Sequence, residues 1–250
     1  MENEENAAQQ EGQDQADLAP GLYIIGTPIG NLADISLRAL DTLRNVDAIL
    51  AEDTRHSRRL LNRYDIRKRL LSCHKFNEAA RFELIRRMIQ DEACALALIS
   101  DSGMPCVSDP GSRSVAACHA AGIAVTVVPG PSAVGSAVAL SGLIEKGYVF
   151  DGFLSPKSAA RRRRLLELDG MGLPFILFES PYRLLKLLTE IEELFPAREI
   201  YVGRELTKRF EESLRGTAGD VRAAFGERRV RGECVVVVAA ACNRTATVYD

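Results

Sequence analysis

Short apolar runs alternate with amphipathic segments along most of the chain. Leu22–Ile25 reads as a first strand and leads into the turn Gly26-Thr27-Pro28-Ile29-Gly30-Asn31. Leu37, Leu40 and Leu43 then recur at helical spacing and predict a helix from about Ser36 to Asn45. Ala48–Ala51 is a second strand that ends at Glu52-Asp53-Thr54-Arg55, and a basic helix separates it from Leu70–Cys73. A further helix carries Phe82, Ile85 and Ile89 as its inner stripe. Cys94–Ser100 is apolar almost without a break, the mark of a strand covered on both faces, and it runs into a loop from Asp101 to Gly111. Val125–Val128 is predicted as another buried strand, delivering Pro129-Gly130-Pro131-Ser132. Ser132 is placed to cap a helix through Ala133–Leu140 that stops at Gly142.

The segment Ser141–Gly147 has the character of a linker, and the second half repeats the alternation with its own apolar runs. Strands are expected at Tyr148–Phe153, Phe175–Phe178, Ile200–Val202, Glu212–Arg215 and Cys234–Ala239. Ser180-Pro181 predicts the start of a helix that runs to Leu194. The fold class is therefore α/β, with an N-terminal α/β domain over 21–142 and a C-terminal α/β domain over 148–242.

Residues 1–20 hold Glu2, Glu4, Glu5, Glu11, Asp14 and Asp17 with no Lys or Arg, and predict a disordered acidic tail. With those six acids set aside, a whole-chain formal charge of −2 becomes +4, a body compatible with an anionic partner. No apolar run approaches a membrane span, and the six cysteines form no CxxC pair, so a soluble protein with free thiols in a reducing cytoplasm is expected. His56, His74 and His119 lack ligand spacing, and no metal site is expected.

Gly26–Asn31, Asp101–Gly111 and Pro129–Ser132 each follow the carboxyl end of an apolar strand, as does Glu52-Asp53. In open α/β sheets that edge is where ligands bind. Gly and Pro also turn chains for no other purpose, but carboxylates grouped at strand ends point to ligand contact or a tuned acid. A dinucleotide is the obvious rival. Gly26-Thr27-Pro28-Ile29-Gly30 does not fit G-x-G-x-x-G, however, and Pro28 lacks the N–H a pyrophosphate would want.

Taken in order and spacing, four segments of the first half resemble one family. They are Gly26-Thr27-Pro28-Ile29-Gly30-Asn31-Leu32, Glu52-Asp53-Thr54-Arg55-His56, Ser100-Asp101-Ser102-Gly103-Met104-Pro105 with Ser108-Asp109-Pro110-Gly111, and Pro129-Gly130-Pro131-Ser132-Ala133. Glu179-Ser180, Arg204-Glu205-Leu206-Thr207-Lys208 and Gly232-Glu233-Cys234 extend the likeness over roughly residues 21–240. The chain resembles the small-subunit ribosomal RNA methyltransferases of the tetrapyrrole methylase superfamily. It departs from their pattern where Met104 stands for the usual threonine and Ser102 for alanine.

The resemblance implies a homodimer of two α/β domains with S-adenosylmethionine in the cleft between them. It also implies methyl transfer to a cytidine 2′-hydroxyl of 16S rRNA in the small ribosomal subunit. Carried over, the cofactor would meet Pro28, Ile29, Ser100, Asp101 and Met104. Ser132, Ala133, Glu179, Leu206 and Thr207 would complete its contacts.

Such a transfer needs alignment above all, and a carboxylate to take the hydroxyl proton would help. Asp53 and Glu52 are the first candidates, with His56 behind them and Arg55 to orient the carboxylate or hold a phosphate. The same residues read equally well as the cap and first turn of a helix. Two basic stretches address the RNA. One contains Arg58, Arg59 and Arg63; the other contains Lys157, Arg161 and Arg162, with Lys208 added from the second domain. Four consecutive arginines point in all directions around a helix, so not all can face one ligand. Aromatic residues near the first stretch are few, which predicts recognition of structured RNA rather than a stacking platform. A macrocyclic acceptor and a non-catalytic RNA-binding assembly factor remain as alternatives.

Overall fold

The computed structural model describes residues 18–226 and 228–241; most of the acidic segment, and Cys242, lie outside the described residues. The chain divides into two compact units. The first comprises residues up to Gly26 and Ile35–Pro129, the second Thr27–Asp34 and Gly130 onward.

The first unit is built on a parallel sheet. Its strands are β1 (Gly21–Ile25), β2 (Ala48–Ala51), β3 (Arg69–Ser72), β4 (Ala95–Ile99) and β5 (Val125–Val128), in the order β3-β2-β4-β1-β5. Helices α1 (Leu37–Asn45), α2 (Thr54–Arg63), α3 (Glu78–Arg86) and α4 (Ser112–Ala120) connect them. α3 runs on through a π-helical turn, Arg87–Asp91. Alternate residues of each strand feed opposite faces, as a two-residue period requires. Ile25, Ile49, Ala97 and Ile99 pack with Leu40 and Leu43 of α1 and Leu60 and Leu61 of α2. Leu22, Leu50, Leu96 and Leu98 pack on the other side with Ile85, Met88 and Cys118.

β5 departs from the expected buried strand. Among the described residues it pairs only with β1, and at the sheet edge it leaves Thr126 and Val127 exposed.

In the second unit the sheet is mixed. β6 (Val149–Phe153), β7 (Phe175–Glu179), β8 (Glu199–Arg204), β9 (Glu212–Thr217) and β10 (Cys234–Val238) lie in the order β6-β7-β10-β8-β9. Only β6 and β7 are parallel. Three helices, α6 (Ser158–Asp169), α7 (Leu184–Leu194) and α8 (Ala218–Phe225), cover one face, where Phe175, Leu177, Val202 and Val236 are buried. The other face is closed by α5 (Ala133–Ser141) and by Ile29: Val134, Ala137 and Ile29 pack with Ile176, Tyr201 and Val237. The sequence placed α5 in the first domain and the boundary at 141–147. Its apolar face instead belongs to the second core, and the chain changes unit after Pro129. Both predicted ends of α5 are found: Ser132 accepts the Gly135 N–H, and Gly142 takes the left-handed conformation.

The helix expected from Ser180-Pro181 starts later, at Leu184. Residues 181–183 form a turn in which the Arg183 and Leu184 amides donate to the Ser180 carbonyl, while the Arg183 guanidinium donates back to Glu179 and the Leu154 carbonyl.

A buried ion pair joins α6 to α7. Arg161 is only 1% exposed, and its guanidinium meets Glu190 through Nε–Oε2 at 2.5 Å and Nη2–Oε1 at 2.6 Å. Ser158 donates to the same carboxylate, and Arg161 Nη1 donates to the Ser155 and Pro156 carbonyls. Burial alone would raise the Glu190 pKa, but the bonds from Arg161 and Ser158 outweigh it and hold the group below its ordinary range. Burial likewise pushes the Cys118 thiol up to about 11 and the Cys234 thiol up to about 12, so both are inert at neutral pH.

Removing one partner of a buried pair strands the other charge. Arg161→Leu should cost roughly 3–5 kcal/mol in urea unfolding, against less than about 0.5 for Arg163→Ala on the exposed side. Because the folded pKa of Glu190 is depressed, its contribution is complete above the unfolded glutamate pKa and fades as pH falls through the folded value. Glu190→Gln should flatten that acid limb of the stability curve.

Candidate functional site

The registers of the first sheet place its chemistry. Ala51 pairs with Ile99, Ile24 with Leu98 and Ile25 with Val128, so β1, β2, β4 and β5 end level with one another. Strands apolar throughout cannot carry polar side chains along their length. Those side chains begin one residue past the ends, at Glu52 and Ser100.

Glu52 and Asp53 have different tasks. Asp53 is the N-cap of α2, and its carboxylate accepts the N–H groups of Arg55 at 2.8 Å and His56 at 3.4 Å. Those bonds, first the Arg55 amide and then its side chain, hold the Asp53 carboxyl below the usual aspartate range. The Asp53 amide in turn donates to Asp101 Oδ1 at 3.1 Å, tying the ends of β2 and β4 together. Half-buried Glu52 moves the other way. Burial raises its pKa and the neighbouring Asp101 charge adds to the rise, with the Asp101 backbone N–H and His74 opposing. Of the two carboxylates the sequence offered, Asp53 is spent on a helix cap and Glu52 is the better proton acceptor. Arg55 is 91% exposed and reaches only Asp53; His56 is exposed.

Beyond β4 the chain winds tightly. Ser100 is buried and donates to the Gly103 carbonyl at 3.2 Å, and Met104 packs beside the core around Leu98. Gly111, at φ +127°, lies so close to Leu98 and Cys106 that a Cβ would stand 2.8 Å from each. No side chain fits there.

In the second unit, Pro28 and Ile29 are buried and Ile29 packs with Leu206. Gly30 is the point of contact between two loops. A Cβ on it would meet Lys208 Cγ at 2.4 Å, Thr207 Oγ1 at 2.7 Å and the Leu206 carbonyl at 2.9 Å. Thr207 has φ +65° and its amide donates to Glu211, while its hydroxyl is buried with no hydrogen-bond partner among the described residues. Ser132 spends its hydroxyl on the α5 cap, and Ala133 packs on the core. Buried Glu179 accepts from the Ser180 amide at 2.7 Å and from Arg183 at 3.0 Å, which commits both its oxygens to holding this turn.

The basic residues separate into two groups. Arg58, Arg59 and Arg63 are exposed on α2 and make no ion pair with any described residue; Lys157 is exposed ahead of α6. Arg161 is withdrawn from any RNA surface by its burial against Glu190. Arg162 is paired with Glu193, and Lys208 Nζ lies between Glu205 at 2.9 Å and Glu233 at 2.8 Å. The sequence shows the run of arginines but not the carboxylates that three-dimensional packing sets against it. It likewise gave no sign that the Thr207 hydroxyl would be left without a partner. Among the described residues no cluster of His, Cys, Asp or Glu could hold a metal ion.

Comparisons with known proteins show the family to which the chain belongs. The family model for Tetrapyrrole (Corrin/Porphyrin) Methylases matches residues 21–222. A protein of Thermotoga maritima named ribosomal RNA small subunit methyltransferase I is 46% identical over 217 residues, covering 87% of this chain and 97% of its own. One of the same name from Xylella fastidiosa is 45% identical over 232 residues, covering 91% and 84%. Among solved structures, a diphthine synthase superposes with a TM-score of 0.67 at 15% identity, covering 87% of this chain and 89% of that one, a likeness of fold alone.

The crowding at Gly30 is directly testable. Gly30→Ala should destabilise the protein by roughly 1–3 kcal/mol in urea unfolding, since the Leu206 backbone must give way. Gly147→Ala, into open space, should leave the midpoint unchanged.

Proposed function

The chain belongs to the tetrapyrrole methylase family, among relatives named ribosomal RNA small subunit methyltransferase I, and from that membership we propose that it transfers a methyl group from S-adenosylmethionine to a cytidine ribose 2′-hydroxyl of 16S rRNA. It acts on the small ribosomal subunit or its rRNA, as a homodimer, in the cytoplasm. No described helix is long and apolar enough to cross a membrane. The observation that carries the chemistry is Glu52, a carboxylate at the strand-end edge of the first sheet, held above its ordinary pKa beside Asp101.

The residues present fit the cofactor. Asp101 offers a carboxylate suited to a cationic group, and the buried Thr207 hydroxyl beside Gly30 is a hydrogen-bonding position that no described residue fills. We assign its contacts to Ser100, Asp101 and Met104 in the first unit. In the second we assign them to Pro28, Ile29, Ser132, Ala133, Leu206 and Thr207, with Glu179 shaping the turn rather than binding. When bound, the cofactor supplies an electrophilic methyl group on a sulfonium.

Glu52 would take the proton of the 2′-hydroxyl, to which the bound cofactor would supply the methyl group. Asp53 and Arg55 act through position: the cap fixes the start of α2, and the Asp53 amide fixes Asp101. On α2, Arg58, Arg59 and Arg63 meet RNA phosphates, and Lys157 adds a further cation. This exposed basic face favours a polyanion over a macrocyclic acceptor.

The test is to incubate the protein with tritiated S-adenosylmethionine and small subunits lacking the modification, and to map the label. Label on one cytidine ribose is expected. Label on no RNA would overturn the reading and point to a macrocycle. Glu52→Gln should lower kcat by about 10²–10⁴-fold with cofactor affinity unchanged. In the wild type, kcat should fall as pH drops through the raised Glu52 pKa, above the range of an ordinary glutamate, and the residual rate of Glu52→Gln should lack that limb.

A further inference from the structure

Two of the most exposed aromatic side chains of the second unit, Tyr182 at 79% and Phe210 at 66%, come from segments far apart in sequence. Each carries a guanidinium over its ring. Arg229 lies 5.7 Å from the Tyr182 centroid and Arg209 lies 5.5 Å from that of Phe210. Arg204 joins the two places: its Nη1 donates to the Arg231 carbonyl at 2.9 Å and its Nη2 to the Phe210 carbonyl at 3.1 Å. The segment 228–231 thus touches Tyr182 at one residue and shares Arg204 with Phe210 at another.

Charge on this surface is unbalanced. Glu212 is neutralised by Arg204 at 2.8 Å and by Arg228, and Glu211 is engaged by the Thr207 amide. Arg209, Arg229 and Arg231 are exposed and have no acidic partner among the described residues. A partner for such a surface must offer flat π faces and negative charge together. Nucleotides do so when unpaired, since a duplex hides its base faces and presents only phosphates. An acidic peptide supplies the charge without the faces.

We propose that Tyr182, Phe210, Arg209, Arg229 and Arg231 form a docking surface for unpaired RNA nucleotides, with bases on the rings and phosphates on the guanidinium groups. This rests on the reading of the chain as an RNA-modifying enzyme and adds to it. The helix α2 face meets phosphates irrespective of strandedness, while this second surface selects RNA whose bases are splayed out. It also departs from the expectation that the protein lacks a stacking platform. Aromatic residues are few near the first basic stretch, but folding brings Tyr182 and Phe210 beside exposed arginines elsewhere.

The test uses the full chain without cofactor, a fluorescein-labelled unstructured oligoribonucleotide, and an RNA duplex of the same composition. Tyr182→Ala and Phe210→Ala should each weaken single-strand binding by about 5- to 100-fold while leaving duplex binding unchanged. Tyr182→Phe should bind as wild type. Arg209→Gln and Arg229→Gln should each lower the log–log salt slope for the single strand by roughly 0.7. All these side chains are exposed, and unaltered thermal melts would show the variants folded. Wild-type affinity in both alanine variants, or equal losses on single strand and duplex, would overturn the proposal. So would a change in sedimentation with RNA binding intact, because the face would then be an interface with protein. Methyl transfer is scored separately. Label on rRNA with unaffected Tyr182→Ala binding would sink this surface alone, and Tyr182-dependent binding without label would sink only the assigned activity.

Discussion

A parallel strand covered on both faces can carry no charge along its length, and most of what the first unit does follows from that. β2 and β4 are buried at every position, so the polar residues that accompany them are displaced to the ends. Parallel pairing then brings those ends level, which is why Glu52 and Asp101 feel one another although nearly fifty residues of chain lie between them. The same constraint sets the division of labour between neighbours. Asp53 opens the next helix and must satisfy its amides, which leaves Glu52, one residue earlier, in partly buried surroundings that raise its pKa.

Features written in local chemistry were legible in advance. Ser132 caps the helix it precedes, and Gly142 ends it, because each acts within a few residues of itself. The strands of the first sheet fall within a residue of their apolar runs for the same reason. The family likeness was legible too, since its motifs are short and ordered along the chain. What could not be read depends on partners distant in sequence. Nothing near Arg161 announces Glu190, yet that pair turns the most basic run of the chain into a structural joint. Nothing near Ala133 says that α5 covers the second sheet rather than the first. Val125–Val128 is apolar like its neighbours, and its edge position is a property of the whole sheet.

The count of basic residues is therefore a poor guide to cationic surface. Arg161, Arg162, Arg164, Arg204 and Lys208 all face carboxylates, and the pairs that are buried or shared hold helices and turns in place. Among the described residues, exposed cations with no acidic partner include those on α2, Lys157 and the arginines beside exposed rings, and also Arg38, Lys75, Arg113 and Lys146.

The passage of residues 27–34 into the second unit has a consequence for how the protein is made. Ile29 is synthesised early, yet the side chains that bury it include Leu206, Val235 and Val237, the last two on β10, the last of the described strands to leave the ribosome. Vectorial folding from the N-terminus can assemble the first sheet but cannot finish this contact. An apolar loop next to the end of β1 stays open to water until translation of the second core is nearly complete. Neither unit is a continuous stretch of chain, so cutting the polypeptide at a single point to obtain either one would leave an orphaned apolar surface on at least one fragment.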